Sequence, residues 1–348
     1  MASQSTQWRW RKRGLGPALA IMVCFATKLL HDASGSALSS PWLKRRDLDA
    51  QSASKLIRSV ETFVFDLDGV IWIGGSLVDG VKEALDDLRS AGKSIIFATN
   101  NAMRTRAEVA YRLQALGLDW VMESDVFNSA NAVGRLLESR EISKDKEIYV
   151  VGEAGLRDEV QALGYRTRGG PEDAGKSLQD TTAALERLNL NSTGAVVCGL
   201  DQHLNYYKVT IASYLVRNGC PLFASNDDLF GQVGPGRSKH QFPGAGSVLM
   251  AVAAAAGRRF PPFADAVAGK PSLEFADLIR KSFDSLPYGK MVMVGDRLDT
   301  DIAFGNSAGM QTLLVLSGVT TRAEVQNAHG KFVPDFVAPS VASLKFPS

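Results

Sequence analysis

The stretch Phe63-Val64-Phe65-Asp66-Leu67-Asp68-Gly69-Val70 places two carboxylates, two residues apart, directly after a run of β-branched and aromatic residues. The apolar run predicts a buried strand, and residues two apart in a strand point to the same face. Open α/β sheets bind ligands at the carboxyl ends of their strands. We therefore expect Asp66 and Asp68 to lie where chemistry is done, with Gly69 allowing the chain to turn sharply behind them.

Two acids at the tip of a buried strand repel each other unless they share a cation or a proton. Mg²⁺ suits such a pair, because it prefers oxygen ligands and commonly bridges a carboxylate to a substrate phosphate. Taken alone, the pair also fits an Asx-type turn after a strand.

Three further polar segments favour the metal site over the turn. Residues 94–98 predict a second strand, which ends at Thr99-Asn100-Asn101. Gly269-Lys270-Pro271-Ser272 precedes a predicted helix at 273–283, and a short apolar strand at 291–294 precedes Gly295-Asp296-Arg297-Leu298-Asp299-Thr300-Asp301. These segments supply hydroxyl and amide donors for phosphate oxygens, a lysine near a helix N-terminus and a further metal carboxylate.

The four ordered motifs resemble those of the haloacid dehalogenase superfamily of phosphotransferases. Together with Leu313-Leu314-Val315-Leu316-Ser317-Gly318-Val319-Thr320, they are similar to the branch that contains 4-nitrophenylphosphatases, phosphoglycolate phosphatases and pyridoxal phosphatases. The likeness runs from about residue 61 to about residue 319. It implies an α/β fold with a Rossmann-like parallel-sheet core and an inserted α/β cap domain, and a Mg²⁺-dependent phosphomonoester hydrolase.

The resemblance assigns roles to four carboxylates. Asp66 would attack phosphorus, form an aspartyl-phosphate intermediate and ligate Mg²⁺. Asp68 would be the general acid and base, and its backbone carbonyl would be a metal ligand. Asp296 would complete the protein's share of the metal shell, and Asp301 would support it through water or neighbouring groups.

The phosphate group would be held by Thr99, Asn100, Asn101 and Lys270, which can neutralise or hydrogen-bond its equatorial oxygens. The resemblance favours 2-phosphoglycolate as the substrate, since the likeness to plant-type phosphoglycolate phosphatases is strongest at residues 199–208 and 293–320. Pyridoxal 5′-phosphate or a broad range of esters such as 4-nitrophenyl phosphate is the alternative, and a phosphoprotein is a third. Two readings from other classes stay open: a receiver-type phosphoacceptor and a catalytically silent binding protein of the same fold.

About 165 residues separate the second motif from the third, too many for a simple connection, so a domain must be inserted there. The insertion has its own strand signals at 147–151, 194–200 and 221–224, with helices at 154–163 and 206–217. We place the core at 59–139 and 243–348, and the cap at 140–242. Within the cap, Asp201, His203, Tyr206 and Tyr207 are candidate substrate contacts, although aromatic residues at helical spacing more often pack.

Two departures from the family pattern affect the expected substrate contacts. Ala102 stands where the family usually has serine, and residues 231–240 differ from the shorter family pattern. These departures bear on which ester is preferred and leave the expected mechanism unchanged.

The N-terminal segment differs in charge from the rest of the 348-residue chain. Its first 60 residues hold ten Lys or Arg and three Asp or Glu, whereas the remainder holds 29 basic and 34 acidic residues. The mildly acidic body argues against nucleic-acid binding. Arg9–Arg13 precede a short apolar run at 15–26 and small residues at 33–40, so residues 1–58 predict a presequence that is disordered or cleaved, with a plastid as the destination.

Other fates of the segment are a mitochondrial or cytosolic location, or membrane contact if the apolar run is retained. The run is short of the roughly 20 residues that a spanning helix needs. The expected partner is a small phosphorylated metabolite, and a homodimer is compatible with the sequence. Three cysteines without metal or disulfide spacing exclude a disulfide-stabilised fold.

Overall fold

Asp66 comes directly after a central strand of a six-stranded parallel sheet. The computed structural model describes residues 47–232, 241–283 and 285–345. The strands are β1 Thr62–Phe65, β2 Trp72–Ile73, β3 Ser76–Leu77, β4 Ser94–Thr99, β5 Val126–Asn128, β6 Glu147–Val151, β7 Arg166–Gly169, β8 Thr193–Cys198, β9 Leu222–Ala224, β10 Phe230–Gln232, β11 Gln241–Pro243, β12 Ala266–Val267, β13 Met291–Gly295, β14 Gln311–Val315 and β15 Phe336–Ala338. The α-helices are α1 Ala50–Ser59, α2 Val81–Ser90, α3 Arg106–Ala115, α4 Ser129–Ser139, α5 Ala154–Ala162, α6 Leu178–Glu186, α7 Tyr206–Arg217, α8 Ala245–Ala255, α9 Leu273–Lys281, α10 Ala303–Ala308 and α11 Arg322–Gln326.

The core sheet has the strand order β15-β14-β13-β1-β4-β5, with every neighbouring pair parallel. The chain runs from β1 outward to β4 and β5, and then returns to β13 on the other side of β1. This reversal leaves a crevice at the carboxyl ends of β1 and β13, where doubly wound sheets bind their ligands. The expected Rossmann-like core is confirmed.

Alternate residues of β1 explain why this sheet is covered on both faces. Phe63 and Phe65 belong to one buried cluster and Val64 to another, on the opposite face. Strands buried on both sides need continuous apolar sequence, which is what the 63–65 run provides.

A second parallel sheet has the order β12-β9-β8-β6-β7. One of its faces is covered by α7 and α8, whose Ile211, Leu215, Val248 and Leu249 pack with Val196. Its other face shares a buried cluster with the first sheet. The predicted strand at 147–151 and the predicted helix at 206–217 are found with those bounds.

The predicted end of the insertion at residue 242 is too early. Helix α8 buries its apolar residues against the second sheet, and the chain then forms β12, which pairs with β9 through Ala266 and Phe223. A parallel edge strand requires a crossover, so the second sheet is complete only at residue 267.

The predicted presequence, residues 1–58, is too long at its C-terminal end. Helix α1 starts with a capping box between Asp49 and Ser52, and it buries Leu56 and Ile57 in the core. The Leu48 amide also donates to the carbonyl of Val337 at 2.8 Å. Residues 1–46, which carry the basic and apolar parts of the prediction, lie outside the described residues, and among those described no helix is long and apolar enough to cross a membrane.

Candidate active site

Three predicted site residues lie at the adjacent carboxyl ends of three neighbouring strands. Asp66 follows β1, Thr99 ends β4 and Asp296 follows β13. The register aligns these ends, because Phe65 pairs with both Phe97 and Val294. The Asp66 amide donates to the Val294 carbonyl at 2.9 Å, which fixes the start of the loop that carries Asp68.

Lys270 brings a buried positive charge to Asp66. Its Nζ lies 2.6 Å from Oδ1 of Asp66 and 2.7 Å from Oδ1 of Asp301, and it donates to the carbonyl of Ala98 at 2.7 Å. The side chain is only 2% exposed. The ammonium group therefore links the predicted nucleophile, the support residue and the end of β4.

A single turn of π-helix, Leu298–Ile302, returns Asp301 to the strand end. Oδ2 of Asp301 accepts the amides of Asp296 and Arg297, each at 3.1 Å. Because one oxygen of Asp301 holds the backbone and the other faces Lys270, this carboxylate fixes the loop on which Asp296 stands.

Asp296 is enclosed by glycines. A Cβ atom at Gly318 would overlap its carboxylate, and one at Gly69 would come within 2.6 Å of Oδ2. The Val319 amide donates to the same oxygen at 2.6 Å. The two glycines, one in the Asp66 loop and one after β14, leave room for this carboxylate to face Asp66.

Burial is the largest single influence on the pKa values of Asp66, Asp296 and Lys270. It raises the pKa of Asp66 to about 7, although the charge of Lys270 opposes the rise. Burial, with the nearby charges of Asp301 and Asp66, also raises the pKa of Asp296 well above its ordinary value. Burial disfavours the ammonium of Lys270, but the carboxylates of Asp301 and Asp66 outweigh it and raise the pKa of that group.

The buried carboxylates have the composition of a site for a divalent cation. Asp66, Asp296 and Asp301 each offer an oxygen, and these oxygens lie within 4.8 Å of one another. Among the described residues they face the ammonium of Lys270 alone, so negative charge is in excess. A hard divalent cation would balance this excess and take oxygen ligands, so the residues present fit such an ion.

Asp68 stands apart from this buried cluster. It is exposed to the cavity side, and its Oδ1 accepts a hydrogen bond from Nε1 of Trp72 at 2.8 Å. Trp72 was not among the predicted site residues, because it lies in an apolar run that reads as core. The indole N–H, a polar group within that run, is the signal that could have pointed to it.

Thr99, at the end of β4, and the two residues that follow it have different surroundings. Thr99 is buried, and its hydroxyl oxygen accepts the Asn101 amide at 3.0 Å. Asn100 uses its side chain within the protein: Oδ1 accepts the Lys270 amide at 2.8 Å, and Nδ2 donates to the Lys270 carbonyl at 3.0 Å and to Asp228 at 3.1 Å. Asn101 is exposed at the cavity.

Asp228 and Arg297 join the loop after β9 to the core. Nη2 of Arg297 lies 3.7 Å from Asp228 and 2.9 Å from Asp299. Burial opposes the charge of Arg297, but Asp299 and Asp228 keep its pKa above the usual value. Burial raises the pKa of Asp228. The motif at 295–301 predicted no role for Arg297, and only its long-range pairing with Asp228 shows that the two residues meet at the site.

A cavity of about 320 Å³ opens above these groups. Its wall includes Asp66, Asp68, Thr99, Lys270, Asp296 and Arg297 together with Ala102. Apolar side chains complete it: Trp72, Met103, Leu200, Phe230 and Phe242. Residues 233–240, part of the stretch that departs from the family pattern, lie outside the described residues.

The four cap candidates are not in the described wall of this cavity. Asp201 pairs with the buried Lys208 at 2.7 Å, and Tyr206 is 68% exposed. His203 is exposed and lies 3.5 Å from Glu153, and Tyr207 packs beside the second sheet. Leu200, adjacent to Asp201, is the cap residue that reaches the cavity from this loop.

Comparison with known proteins agrees with this fold. The family profile described as haloacid dehalogenase-like hydrolase matches residues 63–166, and a HAD-hydrolase-like profile matches 267–344. Phosphoglycolate phosphatase 2 of Arabidopsis thaliana is 38% identical over 299 residues, which are 85% of this chain and 96% of that protein. Phosphoglycolate phosphatase 1A, chloroplastic, of the same plant is 37% identical over 85% of this chain and 80% of its own length.

Solved structures give the same result. The 4-nitrophenylphosphatase of Thermotoga maritima has a TM-score of 0.69 and 29% identity, covering 83% of this chain and 97% of that one. A glycerol phosphate phosphatase of Mycobacterium tuberculosis in complex with magnesium has a TM-score of 0.67 and 28% identity, covering 83% and 77%. The chain therefore belongs to the haloacid dehalogenase-like hydrolases. It is a phosphatase that acts on small phosphorylated substrates with a divalent metal ion.

Proposed function

We propose that this phosphatase hydrolyses 2-phosphoglycolate to glycolate and phosphate through an aspartyl-phosphate on Asp66. The observation that carries the substrate is the 38% identity to a plant phosphoglycolate phosphatase over nearly the whole of that protein. The buried cluster of Asp66, Lys270, Asp296 and Asp301 supports the mechanism.

In this proposal Asp66 is the nucleophile. A carboxylate oxygen of Asp66 attacks phosphorus, and the bond from phosphorus to the ester oxygen breaks. Asp68 donates its proton to the departing alkoxide, which leaves as the alcohol group of glycolate. Asp68 then accepts a proton from water as that water attacks phosphorus, and the bond from phosphorus to Asp66 breaks to release inorganic phosphate.

The metal ligands in this proposal are the carboxylates of Asp66 and Asp296, with the backbone carbonyl of Asp68. We propose Mg²⁺ as the ion, which suits an all-oxygen site and a phosphate substrate. When bound, the ion supplies positive charge to the phosphoryl oxygens. Asp301 then acts through its hydrogen bonds to the amides of Asp296 and Arg297.

Phosphate recognition rests on Thr99, Lys270 and Asn101. The Thr99 hydroxyl oxygen already accepts the Asn101 amide, so its proton is available for a phosphoryl oxygen. The Asn100 side chain is occupied by the Lys270 backbone and Asp228. We therefore propose that Asn100 holds the Lys270 loop in place, rather than adding a side-chain donor to phosphate as the sequence suggested.

The test is phosphate release with Mg²⁺ by a protein that begins at Asp47. The panel is 2-phosphoglycolate, pyridoxal 5′-phosphate, glycerol 3-phosphate and 4-nitrophenyl phosphate. We expect kcat/KM for 2-phosphoglycolate to exceed the others by about a hundredfold, which corresponds to about 2.7 kcal/mol of differential transition-state binding. Similar values for all four esters would reject the substrate and leave the phosphatase in place.

A larger or aromatic ester is the second candidate, and the apolar cavity wall favours it. Trp72, Phe230 and Phe242 offer rings to the space beside the acids. If pyridoxal 5′-phosphate or 4-nitrophenyl phosphate is preferred, we expect Phe242→Ala to raise KM for that ester with little change in KM for 2-phosphoglycolate.

We also propose that the second sheet, which runs from β6 to β12 at residues 147–267, forms a cap whose loops close the cavity and exclude water. Residues 1–46 then form a plastid-targeting presequence, supported by their basic charge and by the chloroplastic relative. A fluorescent protein carrying residues 1–46 should enter plastids, and a diffuse signal would reject this address.

A further inference from the structure

The indole of Trp72 makes a directed contact with the predicted acid and base. Its Nε1 lies 2.8 Å from Oδ1 of Asp68, and the ring is buried, with 3% of its surface exposed. Asp68 itself is exposed. A buried, fixed donor therefore restricts the rotation of an exposed carboxylate.

The backbone fixes the position of this indole. Trp72 begins β2, which pairs with β3 through Leu77, and its carbonyl accepts the Gly69 amide at 2.8 Å. The Trp72 amide donates to the carbonyl of Leu67 at 3.1 Å. Asp68 and Trp72 are thus the two ends of one tight loop, and their side chains are held on the same side of it.

The ring is also held by an arginine. The guanidinium of Arg112 lies 4.3 Å from the centre of the Trp72 ring, and Arg112 donates to the carbonyl of Gly74 at 2.5 Å. A cation stacked on an indole is a favourable contact. Helix α3, which carries Arg112, therefore fixes the plane of the ring whose edge faces Asp68.

We propose that Trp72 is the positioning residue for Asp68 and selects which of its oxygens carries the proton. The indole N–H is a donor that cannot accept. Oδ1 must therefore remain the acceptor, and in the acid form the proton lies on Oδ2. The hydrogen bond directs Oδ2 toward the leaving group in the first half-reaction and toward water in the second. This inference rests on the proposed roles of Asp66 and Asp68.

The test compares two esters that differ in their need for an acid. An alkyl leaving group such as that of 2-phosphoglycolate or glycerol 3-phosphate must be protonated as it departs, whereas 4-nitrophenolate leaves well without a proton. Because kcat/KM reports the steps up to cleavage of the ester bond, the ratio of kcat/KM for the alkyl ester to that for 4-nitrophenyl phosphate isolates the acid function.

Trp72→Phe keeps a ring over Arg112 and in the cavity wall but removes the donor. We expect this ratio to fall about tenfold, because the hydrogen bond that orients the acid, and that strengthens as the carboxylate forms, is lost. Asp68→Asn should lower the same ratio by about a hundredfold or more. An equal loss on both esters would mean that Trp72 has only a structural role, and an unchanged ratio would also overturn the proposal.

Trp120→Phe is the matched control. The guanidinium of Arg89 lies 4.3 Å from the ring centre of Trp120, which matches the stacking of Arg112 on Trp72. Unlike Trp72, however, Trp120 has no hydrogen-bond partner for its Nε1 among the described residues. The ratio should stay at the wild-type value in this variant. If Trp72→Phe does not fold, Arg112→Met retains the donor and releases the ring, and the ratio should fall several-fold; no fall would overturn the proposal.

Failure of this inference can be told from failure of the proposed function. If Asp68→Asn lowers the ratio but Trp72→Phe does not, Asp68 is the acid and Trp72 does not position it. If Asp68→Asn leaves the ratio unchanged, the acid role of Asp68 is wrong, and the inference about Trp72 falls with it.

Discussion

Lys270 is a buried ammonium between two buried carboxylates, those of Asp66 and Asp301. A methionine in its place would leave both carboxylates without their cation, and breaking a buried pair in this way costs about 3–5 kcal/mol of stability. We expect Lys270→Met to lower kcat/KM by about a thousandfold as well, since a charge directed at the phosphoryl group is lost. Steady-state kinetics and urea unfolding measure the two effects.

The control for this change is Lys290→Met. Lys290 forms an exposed ion pair with Glu61 at 3.5 Å. The activity and the stability of the Lys290→Met variant should therefore stay close to those of the wild type. Near-normal turnover in Lys270→Met would show that this lysine does not serve the phosphate.

Gly318 determines where the Asp296 carboxylate can lie. A Cβ at this position would overlap the carboxylate, so Gly318→Ala should push Asp296 away from Asp66. We expect divalent metal affinity to fall about 10- to 100-fold, the usual effect of disturbing groups around a metal ligand. Calorimetric titration with Mg²⁺ measures this, with Gly289→Ala as the control, because a Cβ at Gly289 meets nothing within 4 Å. Equal affinities in the two variants would contradict the assignment of Asp296.

Sequence analysis identified the site residues that stand at the ends of apolar strands. It missed the residues whose roles depend on partners far away in the sequence. Asp66, Thr99 and Asp296 each follow an apolar strand, so their meeting at one edge could be predicted. The side chain of Asn100 bonds to residues 128 and 170 positions away, and no local spacing indicates that. Trp72 was read as core because its neighbours are apolar.

Helix α1 was not predicted from the sequence because of the composition of the residues that precede it. It lies within 58 residues that read as a basic presequence, yet it buries Leu56 and Ile57 in the core. Apolar residues at positions 53, 56, 57 and 60 have helical spacing, which was the available signal. The strong charge bias of residues 1–46 outweighed it.

Leu56→Ala tests whether α1 is part of the fold. Because Leu56 is fully buried, the change should cost about 2–5 kcal/mol in the free energy of unfolding. Lys55→Ala, on the exposed side of the same helix, should change it by no more than about 0.5 kcal/mol. Urea denaturation compares the two variants, and equal stabilities would place α1 outside the folded body.

A domain is inserted into the core of the molecule. The sequence indicates this insertion but does not show where it ends. The 165-residue separation between motifs required a second domain, and the strand and helix signals within it were found close to their predicted bounds. Its end was misplaced because α8 carries apolar residues that fit either domain. Only the pairing of β12 with β9 shows to which sheet they belong.

The stability of the whole protein should depend jointly on pH and divalent metal. Burial raises the pKa of Asp66 to about 7 and that of Asp296 well above its ordinary value, so without a cation the folded protein binds protons that the unfolded chain releases. The stability that Asp66 contributes is full below about pH 4 and is lost as the pH rises through 7, and Asp296 acts in the same direction. A bound cation replaces the protons.

The increase in Tm caused by Mg²⁺ should therefore be larger at pH 8 than at pH 5. At a concentration of 100 times Kd, the ion would add about 2.7 kcal/mol at the higher pH. Thermal unfolding with Mg²⁺ or with a chelator measures the difference, and Asp296→Asn should abolish most of it. A larger gain at pH 5 would contradict the assigned metal ligands.

The central claim is that Asp66 becomes phosphorylated, and its most direct test uses Asp68→Asn. This variant should still transfer a phosphoryl group from 4-nitrophenyl phosphate, whose leaving group needs no acid, but it lacks the base that activates water. After acid quenching, mass spectrometry should show one added phosphoryl group, located on Asp66. Release of phosphate with no label on Asp66, or label on another residue, would contradict the covalent mechanism.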